Sequence, residues 1–225
     1  NNPNLSPTDP MRLFEDERLI GISHAQASNE PVDKYQHDAT ILAGTFDITS
    51  QEIVRNKKTT ESNKTLSPKS VAWFLPAFEG IYAGLMNIFS FANFLAETQK
   101  LETTFYIRKA DKNTDLEKDL ILAEFPKLKA AKFVAIRPDR TENIKAHDMG
   151  IATQWATTYP LAKTSLIKRK CYFIQDNEAN FYPKGSISAL VELSYRFGFT
   201  AIAGTEGLLN MYKEQYKGDG VVLKS

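Results

Sequence analysis

The sequence predicts an α/β domain, a Rossmann-like doubly wound parallel sheet with helices on both faces, preceded by a helical N-terminal extension. Three observations carry this. From Ser70 onward, short apolar runs of strand length alternate with longer segments of helical period, the pattern of successive βαβ units. The short runs are apolar throughout rather than at every second residue, as strands covered on both faces require. Residues that stop or start elements stand between them: Pro76, Pro138 and Ser186.

In chain order, residues 1 to 30 carry Pro3, Pro7 and Pro10 with a short helical pattern over Met11–Ile20, and read as an arm. From Asp33 to Asn56, Tyr35, Ala39, Leu42, Phe46, Ile53 and Val54 mark one or two helices interrupted by Gly44 and Ser50. Arg55 to Lys69 is polar and aperiodic and reads as a linker, which places a domain boundary between 1–69 and 70–225. Val71–Leu75 is the first strand, stopped by Pro76. Ala83–Thr98 is a helix with Leu85, Ile88, Phe89, Ala92 and Leu95 on one face. Thr103–Ile107, Phe133–Ile136 and Met149–Thr153 are the next strands, with a helix over Leu116–Phe125. A helix over Gln154–Ala162 follows, which Pro160 is expected to bend or end. Cys171–Ile174 and Phe199–Ala203 flank a helix opened by Ser186, and Glu206–Gln215 is the last helix.

Composition excludes several classes. With 225 residues and 42% hydrophobic side chains, the chain builds a core without staples. A net charge of +1 gives no global field for nucleic acid or an anionic membrane. The single cysteine, Cys171, forms no internal disulfide and fits a reducing compartment. It reads as a small core hydrophobe. No apolar run approaches the ~20 residues of a membrane span, and the first residues lack a basic-then-apolar leader. The chain therefore reads as soluble and cytoplasmic. Its start without Met and its end just past Val221-Val222-Leu223 suggest a piece of a longer protein.

In an open parallel sheet, chemistry sits past the carboxyl ends of the strands. The loop after the first strand carries Gly80, Ala83 and Gly84 at a helix start, where backbone N–H groups receive phosphate. It lacks both the dinucleotide fingerprint and the P-loop pattern, so its glycines equally suit a tight turn and close packing. After the fifth strand stand Gln175, Asp176, Asn177 and Glu178. Asp176 and Glu178 lie two apart, so an extended loop points both the same way, as general-base or orienting carboxylates. The bland alternative is a turn cap and a solvated side chain. Phe181, Tyr182 and Pro183 form an aromatic lip suited to a sugar ring or to packing the loop down. His24, His37 and His147 have no second ligand at metal spacing and read as non-metal histidines. Lys168-Arg169-Lys170 reads as a solvated edge before the strand.

Two segments carry a resemblance. Residues 74–96 (Phe-Leu-Pro-Ala-Phe-Glu-Gly-Ile-Tyr-Ala-Gly-Leu-Met onward) and 172–186 (Tyr-Phe-Ile-Gln-Asp-Asn-Glu-Ala-Asn-Phe-Tyr-Pro-Lys-Gly-Ser) resemble bacterial rhamnosyltransferase-type glycosyltransferases of S-layer and O-antigen polysaccharide synthesis. The resemblance runs on through Tyr195-Arg196-Phe197-Gly198-Phe199 and covers 70 to 223. It implies the GT-B architecture, two Rossmann-like units facing a cleft, with this chain as the acceptor-side unit and the donor-binding unit absent. It implies a nucleotide-sugar substrate such as dTDP-rhamnose, no cofactor or metal, a polysaccharide or lipid-linked glycan acceptor, and proximity to the inner face of the membrane. Ala83-Gly84 takes the place of the family's Gly-Gly turn near the donor diphosphate, with Ala83 a departure. Asp176 and Glu178 match a Gln-Asp-x-Glu pattern beside the reacting sugar, with Ala179 where the family often has Pro. Gln175, Asn177, Phe181, Tyr182, Thr153 and Trp155 are implied on the acceptor side. Two other readings stand: a non-catalytic glycan-binding or scaffolding module, and an unrelated nucleotide-binding domain, which the missing fingerprint disfavours.

Overall fold

The computed structural model describes residues 43–223. The N-terminal arm, the Met11–Ile20 pattern, His24 and His37 lie outside the described residues. Helix α1 (Ser50–Ser62) leads into β1 (Ser70–Pro76), α2 (Ala83–Thr98), β2 (Glu102–Arg108), α3 (Asp115–Glu124) and β3 (Lys132–Ile136). The second half adds β4 (His147–Ala152), α4 (Trp155–Lys163), β5 (Ile167–Ile174), α5 (Ser186–Ser194), β6 (Thr200–Ala203), α6 (Glu206–Tyr216) and β7 (Asp219–Val222).

All seven strands are parallel, in the order β3-β2-β1-β4-β5-β6-β7. This is the Rossmann-like α/β fold that the alternating pattern predicts. Because side chains alternate across a strand, each strand feeds two cores. Trp73, Phe105, Ile151 and Phe173 join Ile88, Phe89 and Ile121 under α2 and α3. Phe74, Tyr106, Ala152 and Tyr172 join Trp155, Tyr159, Val191 and Leu209 under α4, α5 and α6. Fully burying one such side chain stabilises the fold by roughly 1.5–3 kcal/mol. Gly150 in β4 lets α4 lie close on the sheet, since a Cβ there would stand 2.8 Å from Leu161 Cδ1 and 2.9 Å from Ile167 Cγ2.

Four expectations are corrected. The seventh strand was hidden in the sequence because Asp219–Val222 is a short edge segment, exposed at alternate residues. The stretch read as a linker is helical to Ser62. Thr49 and Glu52 form a reciprocal cap: Glu52 N donates to Thr49 Oγ1 at 3.2 Å, and Thr49 N to Glu52 Oε2 at 2.8 Å. Ile53 packs against the core, but the helix is also fastened by polar contacts, which a hydrophobic-period reading misses. Arg55 Nη2 donates to the carbonyls of Ala162 and Lys163 at the end of α4, at 3.0 and 2.8 Å.

The third correction concerns the basic cluster, which lies within β5. Lys170 is 1% exposed, and its Nζ donates to Asn56 Oδ1 (2.7 Å), Thr164 O (2.6 Å) and Ala162 O (3.3 Å). Burial, together with the nearby Arg55 charge, pushes its pKa down to about 7. Fourth, of the two outcomes expected of Pro160, it does not end α4, which continues to Lys163. Every residue from Trp155 to Ala162 is buried, so packing holds the helix although proline removes one N–H donor.

Candidate functional site

The strand order reverses between β1 and β4. The helices that follow them leave on opposite faces, α2 over one core and α4 over the other. Topology assigns the crevice of such a sheet to the carboxyl ends of these strands, the position where open α/β sheets bind ligands. Thr153 forms its floor. Its Oγ1 and N both donate to Phe74 O, at 2.9 and 3.2 Å, and tie β4 to β1. Thr153 and Trp155 are therefore buried, at 8% and 2% exposure, and their polar groups are engaged within the fold.

One wall is the loop from β1 to α2. Tyr82 stands at the N-cap with extended backbone, 72% exposed, and no side chain caps the helix. The first-turn N–H groups at Ala83 and Gly84 thus have no capping acceptor, and a helix start of this kind carries partial positive charge. Gly84 is inside α2, and Gly198 is the only described glycine with a left-handed φ, so neither Gly80 nor Gly84 supplies a left-handed turn. What Gly84 allows is approach. A Cβ there would meet the Gln175 amide at 3.4 Å, and Asn87 Nδ2 donates to Gln175 Oε1 at 3.4 Å. Gln175 therefore bridges the loop after β5 to the first turn of α2.

The other wall is the loop after β5. Asp176 is exposed. Glu178 does not run parallel to it, because Glu178–Phe181 closes into a 3-10 turn and swings its carboxylate inward. Trp155 N, the first residue of α4, donates to both carboxylate oxygens at 3.1 and 3.2 Å. Tyr172 Oη donates to Oε1 at 2.5 Å. Tyr195 Oη accepts from Glu178 N at 3.0 Å and lies 3.5 Å from Asp176 O. Asn177 is half-buried, with its Oδ1 unpartnered among the described residues. Of the aromatic lip, Phe181 is 57% exposed, whereas Tyr182 folds back to accept from Trp155 Nε1 at 3.1 Å.

Burial pushes the Glu178 carboxyl up to about 7, against the lowering pull of Tyr172 and of Trp155 N–H. Burial also raises Tyr172 and Tyr195, each further raised by the Glu178 charge, so both remain protonated donors at neutral pH. The crevice thus offers an exposed carboxylate, an uncapped helix start and a primary amide between them. Behind the exposed carboxylate lies a carboxyl whose charge is poised near neutrality. Tyr172, Tyr195 and Asn87 were not anticipated. All three lay inside segments singled out from the sequence but were given no role there, and a tyrosine in a buried strand such as Tyr172 looks like core. Sequence gave no distance between β5 and α5.

A cavity of about 210 Å³ lies at the other edge, near the amino ends of β6 and β7, lined by Lys57, Arg196, Gly198 and Asp219 among others. It shares no residue with the strand-end loops that form the crevice walls. Among the described residues no group of three or more His, Cys, Asp or Glu side chains is placed to hold a metal. No described helix is long and apolar enough to cross a membrane.

The chain is 32% identical over 142 residues to the O-antigen biosynthesis protein RfbC of Myxococcus xanthus. That match takes in 62% of this chain, which spans 11% of the relative's length. No protein-family profile matches. No solved structure matches either.

Proposed function

We propose that this chain is the acceptor-side unit of a glycosyltransferase of bacterial surface-polysaccharide synthesis. It would help move a deoxyhexose, rhamnose first among them, from a nucleotide-sugar such as a dTDP-sugar to a growing glycan. The observation that carries the reading is the similarity to an O-antigen biosynthesis protein, and the crevice supplies chemistry that suits it. Asp176 is the exposed carboxylate that would accept a hydrogen bond from the attacking acceptor hydroxyl. Glu178 acts through it as a positioning residue, holding the loop to α4 and Tyr195. The N–H groups at Ala83 and Gly84 would face the donor diphosphate, where a helix start substitutes for a cation. Gln175 would stand between donor and acceptor. A second Rossmann-like unit would hold the nucleotide.

The test uses the protein together with its donor-binding unit. Asp176→Asn should lower kcat about 100-fold or more with little change in acceptor KM, because the bond is made in the transition state. Equal turnover of variant and parent would reduce Asp176 to a turn residue. The 225-residue chain alone should transfer no sugar, and robust turnover by it would sink the half-enzyme reading.

A further inference from the structure

Arg108 ends β2, in register with Pro76 at the end of β1 and Ile136 at the end of β3. It is 1% exposed, yet its Nε and Nη2 find no hydrogen-bond acceptor among the described residues. Burial pushes its pKa down to about 9, so the guanidinium remains charged at neutral pH. Asp139 is the carboxylate whose field reaches it, but Asp139 is held by Arg137 at 3.1 and 3.2 Å and by Arg140 at 3.6 Å. A buried guanidinium with idle donors is costly to keep, and a planar fork of this kind fits a carboxylate or phosphate.

An aromatic ring lies against Arg108. Phe46 lies 5.9 Å from its Cζ, stacks on Trp155 (centroids 5.2 Å, planes at 18°) and meets Tyr159 edge-on at 4.9 Å. Phe46 is only partly buried and belongs to the segment before α1 rather than to the α/β layers. Its ring thus meets both an indole and a cation, the latter at the carboxyl end of β2.

We propose that Arg108 is the receptor for an oxyanion carried on the acceptor glycan, and that Phe46 fills the adjoining ring position until the acceptor displaces it. The oxyanion is a sugar carboxylate or a sugar phosphate; the glycan part rests on the acceptor-side reading above. The guanidinium would give its idle Nε–H and Nη2–H to two oxygens, and Trp155 would stack on the sugar ring.

The experiment titrates the purified chain calorimetrically with glucuronate, glucose 1-phosphate and glucose. Both anions should bind about 10-fold or more tightly than glucose, the size of one charge-assisted pair. The tighter of the two identifies the acceptor's anion. Arg108→Gln should level the three affinities, and Phe46→Ala should strengthen anion binding several-fold. Thermal melting separates this from a structural role. Removing an idle buried charge should leave the Arg108→Gln melting temperature unchanged or higher, whereas a structural arginine would lower it. Equal binding of all three probes, in parent and in Phe46→Ala or the gentler Phe46→Leu, would overturn the oxyanion site while leaving a glycan site standing. Inorganic phosphate binding that depends on Arg108, with no gain from an attached sugar, would uphold the oxyanion site and count against the glycan.

Discussion

At the scale of single residues, the site turns on how two carboxylates two positions apart come to differ. Asp176 stays in water because the chain has just left β5, whereas the 3-10 turn carries Glu178 beneath the start of α4. Burial of an acid favours its neutral form, so Glu178 binds a proton in the folded state at a pH where the unfolded chain does not. The folded protein therefore gains stability from Glu178 at low pH, and that contribution is lost as pH rises from about 4.5 to about 7. In Glu178→Gln, which keeps an acceptor for Trp155 N–H and Tyr172, this loss should vanish. Urea unfolding of variant and parent at pH 5 and pH 8 checks it: the variant should gain on the parent at the higher pH. An unchanged difference would mean that the carboxyl is solvated.

At the scale of elements, α1 shows how a helix can be held by polar groups. Asn56 is fully buried and accepts from Lys170, and Arg55 covers carbonyls at the end of α4. Asn56→Ala removes an acceptor from a buried ammonium and a donor from Ala162 O (3.1 Å), and should cost about 1–3 kcal/mol. Val54, on the same helix but 65% exposed, is the control; Val54→Ala should stay within about 0.5 kcal/mol. Denaturant midpoints measure both. Equal effects would mean that α1 is not fastened through the Asn56–Lys170 contact.

At the scale of the whole molecule, Glu178 and Lys170 act in opposite directions around the same pH. Lys170, lowered from 10.5 to about 7, contributes stability that is fully present above 10.5 and is lost as pH falls through 7. Glu178 loses its contribution as pH rises to about 7. Together they should press a shallow minimum into the stability curve near neutrality. The double variant Glu178→Gln, Lys170→Met should flatten it, and a curve of unchanged shape would show that neither group titrates as its burial implies.

The sequence by itself determined the fold class, because buried parallel strands must be apolar throughout and their crossover helices must carry one apolar face. The runs at Val71–Leu75 and Thr103–Ile107, and the helix over Ala83–Thr98, were legible for that reason and match the structure to within a residue at each end. The positions of Gln175 and Asp176 past a strand end were legible too, since topology alone sends such loops to the crevice. Tertiary structure decided the rest. Whether Lys170 is solvated or buried, whether Arg55–Ser62 is a linker or a helix, and whether Glu178 faces water or Tyr172 depend on groups up to 114 positions apart. A period in the sequence reports which face of an element is apolar, but it carries no information about a polar partner contributed by a distant element.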